Sequence, residues 1–63
     1  MSDFPPGIGR PARRALEAAG YTRLDQLTAV TAKELLALHG VGPKAVRILG
    51  ETLAADGRSF RPA

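Results

Sequence analysis

The segment Gly40-Val41-Gly42 has the residue types and spacing with the clearest chemical consequence. It is followed by Pro43, which favours the first turn of a helix, so a new helix is expected to begin there. The first N–H groups of a helix have no partner within it, and the helix dipole favours negative charge at that end. Lys44 and Arg47 add positive charge beside these groups. The spacing therefore predicts a binding site for a phosphate or a similar anion.

Each residue of this predicted site has its own role. The two glycines permit a tight reversal between helices and a close approach by another backbone. Val41 is expected to point inward between the helices as a plug, and Ala45 is small enough for the helices to cross closely. The backbone N–H groups of the glycines and of Ala45 are the expected phosphate donors. The predicted site consists of Gly40, Val41, Gly42, Lys44, Ala45 and Arg47.

The same pattern occurs near the start of the chain. A shift of 33 positions places Gly7-Ile8-Gly9 on Gly40-Val41-Gly42. Over residues 7–16 the shift matches five of ten residues, at Gly7, Gly9, Ala12, Arg14 and Leu16. Phe4-Pro5-Pro6 cannot form the helix that should precede this copy, so it is interpreted as a hairpin followed by a helix. The candidate second contact consists of Gly7, Gly9, Arg10, Arg13 and Arg14.

Both segments also have a plainer interpretation. Either one could be only a tight turn between helices, and the three arginines of the first could form an ordinary solvated face. Arg13 stands four residues before Glu17, and Arg47 four before Glu51, which is the spacing of weak ion pairs on a helix. The presence of three arginines beside a glycine hairpin favours the functional interpretation over the structural one.

The distribution of charge agrees with the functional interpretation. Residues 7–16 contain three basic groups and no acid, and residues 40–49 contain two basic groups and no acid. The two segments therefore carry +5, while the other 43 residues, with four basic and six acidic groups, carry −2. The net charge of +3 is weak support for a polyanionic partner, but its concentration in two segments is stronger support.

No catalytic or metal chemistry is indicated by the sequence. The chain has no cysteine and one histidine, His39, which is expected at a helix C-terminus where an imidazole suits the last carbonyls. No nucleophile stands beside a base, so we expect no enzyme activity, no metal and no cofactor. The longest apolar run, residues 35–38, is far shorter than a membrane span, and residues 1–6 lack a secretory signal. A cytoplasmic monomer that does not contact a membrane is therefore expected.

Helix signals place the two glycine segments in an all-α fold. The 11 alanines and 8 leucines favour helices over strands, and there are only three aromatic residues. Pro11 predicts a helix that begins near Arg10 and is ended by Gly20. Pro43 predicts the longest helix, which ends before Gly57.

Two shorter helices are expected between these. Thr22 is the predicted N-cap of a short helix that carries Leu24 and Leu27. Thr31 and Glu34 have the spacing of a capping box and predict a further helix. That helix is expected to turn three side chains inward, those of Ala32, Leu35 and Leu36.

The predicted organisation is one compact domain of four or five helices. At 63 residues the chain is expected to form a single small domain with a thin core. Its expected parts are an extended N-terminal arm (1–6), the domain (7–57) and a flexible tail (58–63), with Phe60 able to fold back onto the core. Within the domain, the partial first hairpin is 7–19 and the full motif is 32–55.

The residues from Leu35 to Leu49 resemble the helix-hairpin-helix motif. That motif is an apolar helix, a Gly-hydrophobic-Gly turn, and a second apolar helix with an alanine three residues after the last glycine. In that family the hairpin backbone and nearby basic residues grip phosphates of duplex DNA, usually without reading its sequence. The resemblance implies a helix-hairpin-helix fold of the SAM-like type. Tandem motifs of the family place two hairpins on neighbouring backbones of one duplex.

A second resemblance covers nearly all of residues 9–57. The order of the first helix, Ala19-Gly20-Tyr21-Thr22, the capping box and Gly40-Val41-Gly42 is similar to the C-terminal domain of the bacterial RNA polymerase α subunit. That family has the same helix-hairpin-helix core and binds DNA through the minor groove and the backbone. Its groove-binding arginine has Pro11 at the nearest position here. The candidates to replace it are Arg10, Arg13 and Arg14.

The expected function is therefore binding of double-stranded DNA by a small non-catalytic domain. The glycine hairpins would grip the phosphates, with little sequence specificity. The alternative is a protein–protein interaction module, because the same helical architecture is also used for contacts between domains.

Overall fold

The computed structural model of the chain describes residues 3–62, and every regular element in that range is helical. The α-helices are α1 (Arg10–Ala18), α2 (Ala32–Leu36) and α3 (Pro43–Ala55). Two 3-10 helices, Pro6–Ile8 and Leu24–Ala29, precede α1 and α2. Residues 3–62 contain no strand, so the all-α prediction is confirmed.

The starts and ends of the helices follow the local signals of the sequence. Pro11 and Pro43 lie in the first turns of α1 and α3, where a missing N–H removes no hydrogen bond. Gly20 has φ +95° after α1, and the N–H of Tyr21 reaches back to the carbonyl of Leu16 at 2.8 Å. Gly57, with φ +73°, ends α3 in the same way.

The predicted capping box before α2 is confirmed. The N–H of Glu34 donates to the hydroxyl of Thr31 at 3.1 Å, and the N–H of Thr31 donates to the carboxylate of Glu34 at 2.9 Å. The predicted N-cap role of Thr22 is wrong. The amide oxygen of Gln26 reaches back instead and accepts from the N–H groups of Thr22 at 2.7 Å and Arg23 at 2.9 Å.

Leucines form the centre of the core. The largest fully buried side chains come from both α-helical and 3-10 elements: Leu16, Leu27, Leu35, Leu49 and Leu53. The prediction that Leu36 points inward is wrong, because 44% of it is exposed. Leu36 follows Leu35 by about 100° around the helix, and the short α2 buries only the face that carries Leu35.

The predicted N-terminal arm is part of the packed domain. Residues 3–5 are outside any helix, with Pro5 extended, but a 3-10 helix begins at Pro6, so the prediction of extended chain through residue 6 is wrong. This helix is possible because its donors are Ile8 and Gly9, and a proline is needed only as an acceptor. Phe4 is buried in the core. Met1 and Ser2 lie outside the described residues.

The predicted flexible tail is also packed against the domain. We call residues 58–62 the C-terminal strap. The N–H of Arg61 donates to the carbonyl of Val30 at 2.8 Å, and Phe60 packs on the core. A Cβ at Gly50, in the middle of α3, would lie 3.3 Å from the ring of Phe60, so the ring limits the space for a larger side chain there. Ala63 lies outside the described residues.

These contacts make the described chain compact. Its radius of gyration is 10.1 Å, close to the value of about 10.5 Å expected for a folded chain of this length.

Candidate nucleic-acid interface

The second glycine segment forms a tight connection between α2 and α3. The N–H of Val41 donates to the carbonyl of Leu38 at 3.1 Å, and Gly40 has φ +97°. Gly42 is the N-cap of α3, with its carbonyl accepting from the N–H of Val46 at 3.1 Å. We call residues 38–45 the second hairpin.

Both apolar positions of the predicted site are buried as expected. Val41 is 6% exposed and Ala45 is also 6% exposed, and both belong to the core. Lys44 and Arg47 lie on the exposed side of α3.

Several N–H groups of the second hairpin have no partner among the described residues. The N–H groups of Gly40, Gly42, Lys44 and Ala45 donate to no backbone or side-chain acceptor in residues 3–62. Gly40 and Lys44 are exposed residues, whereas Gly42 is half-buried. This end of α3 is therefore a source of free donors with the positive end of the helix dipole behind them.

Gly7-Ile8-Gly9 forms a related but different turn, which we call, with Pro5 and Pro6, the first hairpin. The N–H of Ile8 donates to Pro5 at 3.4 Å, and the N–H of Arg13 to Gly9 at 3.2 Å, as their counterparts do 33 positions later. In this turn the second glycine, Gly9, has positive φ (+86°), whereas in the second hairpin the first glycine, Gly40, does. The N–H of Gly9 donates to the carbonyl of Pro6. The first hairpin therefore has one fewer free donor at its second glycine.

Each hairpin packs against the helix that follows the other one. A Cβ at Gly7 would lie 3.6 Å from Ile48, and a Cβ at Gly40 would lie 3.3 Å from the Cβ of Ala15. Ala15 and Ile48 are themselves 33 positions apart. The repeat is therefore also a repeat of tertiary contacts, and it brings the two hairpins onto neighbouring parts of the surface.

We call residues 7–16 and 40–49 the two hairpin segments. Their basic side chains are exposed and unpaired within the described chain. No carboxylate in residues 3–62 lies within 4.0 Å of the five cations, which are Arg10, Arg13, Arg14, Lys44 and Arg47. The spacing of four residues allowed two ion pairs, Arg13–Glu17 and Arg47–Glu51, but neither is formed. The structure therefore leaves these cations available to an external anion.

The other arginines are engaged with carboxylates. Arg23 and Arg58 contact Asp25, Arg58 also contacts Asp56, and Arg61 contacts Glu34. The hydrogen bond to Asp25, followed by that to Asp56, raises the pKa of Arg58 above its usual value.

The carboxylate of Glu34 has a lowered pKa. The largest cause is the hydrogen bond from the backbone N–H of Thr31, followed by the hydrogen bond from the guanidinium of Arg61. Both donors favour the ionised form of the carboxylate. The lowered pKa therefore reflects the contacts that Glu34 makes at the start of α2.

The two glycines of the second hairpin differ in what the fold requires of them. A Cβ at Gly40 would lie 3.2 Å from the carbonyl oxygen of Pro11, and φ is positive, so the fold requires glycine there. Gly42 has φ −105°, and nothing in the described chain lies within 4 Å of a Cβ at that position. The fold therefore accepts other residues at Gly42.

Comparison with known proteins adds no family assignment. No protein-family model, no curated protein and no solved structure matches the chain.

Metal ligands, pockets and membrane-spanning helices were sought in the described residues as well. Residues 3–62 contain no group of three potential metal ligands and no pocket. Among the helices described, none combines the length and the apolar character needed to cross a membrane. His39 is exposed and lies three residues after Leu36, the last residue of α2, so the prediction that it stands at a helix C-terminus is wrong.

The repeated tertiary contact was missed from the sequence. The alignment of the two copies places Ala15 on Ile48, but both residues are apolar, and their types do not indicate a site. The openness around Gly42 has no signal in the sequence, because it depends on which atoms are absent nearby in three dimensions.

Proposed function

We propose that this domain binds the phosphate backbone of duplex DNA, in the manner of a helix-hairpin-helix protein. The observation that carries the proposal is the clustering of unpaired cations: of the six basic side chains without a carboxylate within 4.0 Å in residues 3–62, five lie on the two segments where glycine turns precede α1 and α3, and the sixth is Lys33. The cations with carboxylate neighbours lie elsewhere in the chain.

The chemistry of the second hairpin suits a phosphate. Unpaired N–H groups at a helix N-terminus donate to anionic oxygens, and the helix dipole adds to the attraction. Lys44 supplies a mobile charge one residue beyond Pro43, and Arg47 supplies another one turn on. The open space at Gly42 admits a phosphate close to the backbone.

Two related hairpins on neighbouring surface suit a partner with regularly spaced phosphates. The start of α1, directly after the first hairpin, would contribute backbone N–H groups and the charges of Arg10, Arg13 and Arg14. Contacts of this kind position a protein on a duplex but carry no sequence information, so we expect little sequence preference. The proposed protein is a non-catalytic cytoplasmic monomer.

Charge reversal at Lys44 tests the proposal most simply. We expect Lys44→Glu to lower duplex affinity at least about tenfold, since a charge-assisted contact is lost and a repulsive one is introduced. The loss should be equal for duplexes of unrelated sequence. The dependence of log K on log salt should also weaken by about 0.9, the contribution of one phosphate.

Lys33→Glu is the matched control. Lys33 is also exposed and without a carboxylate within 4.0 Å, but it lies in the first turn of α2, outside both hairpin segments. Equal effects of the two substitutions would attribute binding to net charge alone and contradict the hairpin site. A stoichiometric protein partner whose binding hardly depends on salt, together with no duplex binding, would favour the protein-interaction alternative.

A further inference from the structure

The C-terminal strap contacts the residues that begin α2. The backbone N–H of Arg61 donates to the carbonyl of Val30, directly before the N-cap Thr31. The guanidinium of Arg61 donates to Glu34 at 3.1 Å. The same carboxylate oxygen accepts from the N–H of Thr31, so Arg61 and the capping box share one acceptor.

The helix that receives these contacts cannot hold its own position. α2 has five residues, far fewer than an isolated helix needs to be stable in water. Its location must therefore be set by the burial of Leu35, by its capping box and by the strap.

The position of α2 determines the position of the second hairpin. α2 ends at Leu36, and the carbonyl of Leu38 accepts the N–H of Val41. No flexible linker separates the helix from the turn. A change in the start of α2 is therefore transmitted to Gly40 and Gly42 within about two helical turns.

The strap also contacts the helix on the other side of this hairpin. The ring of Phe60 lies against Gly50, in the middle of α3. Phe60 and Arg61 are adjacent in the sequence, so one short segment contacts both helices that flank the second hairpin.

We propose that Arg61 is a positioning residue for phosphate binding: by holding Glu34 and Val30, it sets the start of α2 and thereby the second hairpin. This inference rests on the proposed function for its effect on DNA, but the hold on α2 can be measured without DNA. Arg61 itself is paired with Glu34 and makes no phosphate contact in this account.

The test compares Arg61→Ala with Arg58→Ala in the full chain. Both variants remove one positive charge from the strap, but the side chain of Arg58 contacts Asp25 and Asp56, not α2. Amide hydrogen exchange of Leu35 and Ala37, whose N–H groups bond within this turn, reports the opening of α2. Affinity for a short duplex is measured across a range of salt concentrations.

Arg61→Ala is expected to speed exchange at α2 and to lower duplex affinity, each by about two- to fivefold, the usual effect of an exposed ion pair. The slope of log K against log salt should stay at the wild-type value, and Arg61→Lys should recover most of the affinity. Arg58→Ala should change both quantities by less than about twofold.

Three results would overturn the proposal. Exchange at α2 could stay unchanged in Arg61→Ala, both variants could have equal effects, or the salt slope could fall by about 0.9, as for a direct phosphate contact. If the wild-type chain binds no duplex, the proposed function fails, and the exchange measurement still decides whether Arg61 holds α2.

Discussion

At the scale of single residues, the two glycines of the second hairpin differ in whether the fold requires them. Gly40 is required by its own backbone, because φ is +97° and the carbonyl oxygen of Pro11 lies where a Cβ would need space. Gly42 is under no such constraint. Substitution at one should change stability, and substitution at the other should change binding.

Gly42→Asp should stabilise the fold and weaken duplex binding. Aspartate is among the best N-cap residues and suits the dipole of α3, so we expect stability to rise by about 0.5–1 kcal/mol. The new carboxylate would face the bound phosphate, and duplex affinity should fall at least about tenfold. Thermal unfolding and a binding titration measure the two effects.

Ser59→Asp, at an exposed position of the strap, is the control with the same change in charge. A Gly42→Asp variant that binds duplex DNA as well as Ser59→Asp does would contradict a phosphate at this hairpin.

Gly40→Ala should destabilise the fold more than Gly20→Ala. Both glycines have positive φ, +97° and +95°, so alanine should cost about 1–2 kcal/mol at either position from backbone strain. Only Gly40 is crowded by Pro11 and Ala15, which should add a further 1–2 kcal/mol, roughly. Denaturant unfolding compares the two, and equal losses would show that the hairpin does not pack on α1.

At the scale of elements, α2 and α3 depend on the strap as well as on each other. Glycine in the middle of α3 is unfavourable for a helix, but the ring of Phe60 occupies the space that a larger side chain would need. The start of α2 shares its capping carboxylate with Arg61. Both helices therefore contact the strap, a segment for which local sequence patterns predict no helix.

A double-mutant cycle measures the contact between Gly50 and Phe60. In a Phe60→Ala background, Gly50→Ala should stabilise the protein by about 0.8–1 kcal/mol, the gain in helix propensity. In the wild-type background the gain should be smaller by at least about 0.5 kcal/mol, because the new methyl meets the ring at 3.3 Å. Identical gains in the two backgrounds would mean that Phe60 does not lie on Gly50.

The capping of α2 should make stability depend on pH. The pKa of Glu34 is lowered in the folded protein, so its contribution is present above the ordinary glutamate value and is lost as the pH falls through the folded pKa. Between about pH 6 and pH 3, thermal stability should therefore fall less in Glu34→Gln than in the wild type.

Glu17→Gln is the control for this effect, because Glu17 is exposed and has no cation within 4.0 Å in the described chain. It should keep the wild-type loss of stability in acid. The same loss in Glu34→Gln would disprove the role given to the carboxylate.

At the scale of the whole molecule, what could be predicted from the sequence is what depends on one or two helical turns. Pro11, Pro43 and the Thr31–Glu34 pair located three helix starts, because proline geometry and capping act within a few residues. The capping role of Gln26 could not be predicted from the sequence. A threonine is the usual N-cap, whereas here the Gln26 side chain reaches back and accepts from the N–H groups of Thr22 and Arg23.

The contacts that assemble the molecule could not be predicted in this way. The packing of Gly7 on Ile48 and of Arg61 on Val30 joins residues far apart in the sequence, and no local pattern records such pairs. The candidate site was partly predictable, since the glycine turns and the basic residues are local. Which cations stay free of carboxylates depends on the packed surface.

The distribution of charge over this surface is the basis of the account. Nine basic and six acidic groups give a modest net charge, but the carboxylates that form ion pairs in residues 3–62 pair with Arg23, Arg58 and Arg61, outside the two hairpin segments. The hairpins therefore present cations and helix N-termini together, a combination that attracts phosphates and is weakened by salt.

An NMR titration of the chain with a short DNA duplex at low salt would locate the bound phosphates on its surface. We expect the largest amide shifts at Gly42, Lys44 and Ala45, with a second group in residues 7–14. Shifts centred on the 3-10 helix Leu24–Ala29 or on the strap, or no shifts at all, would contradict it.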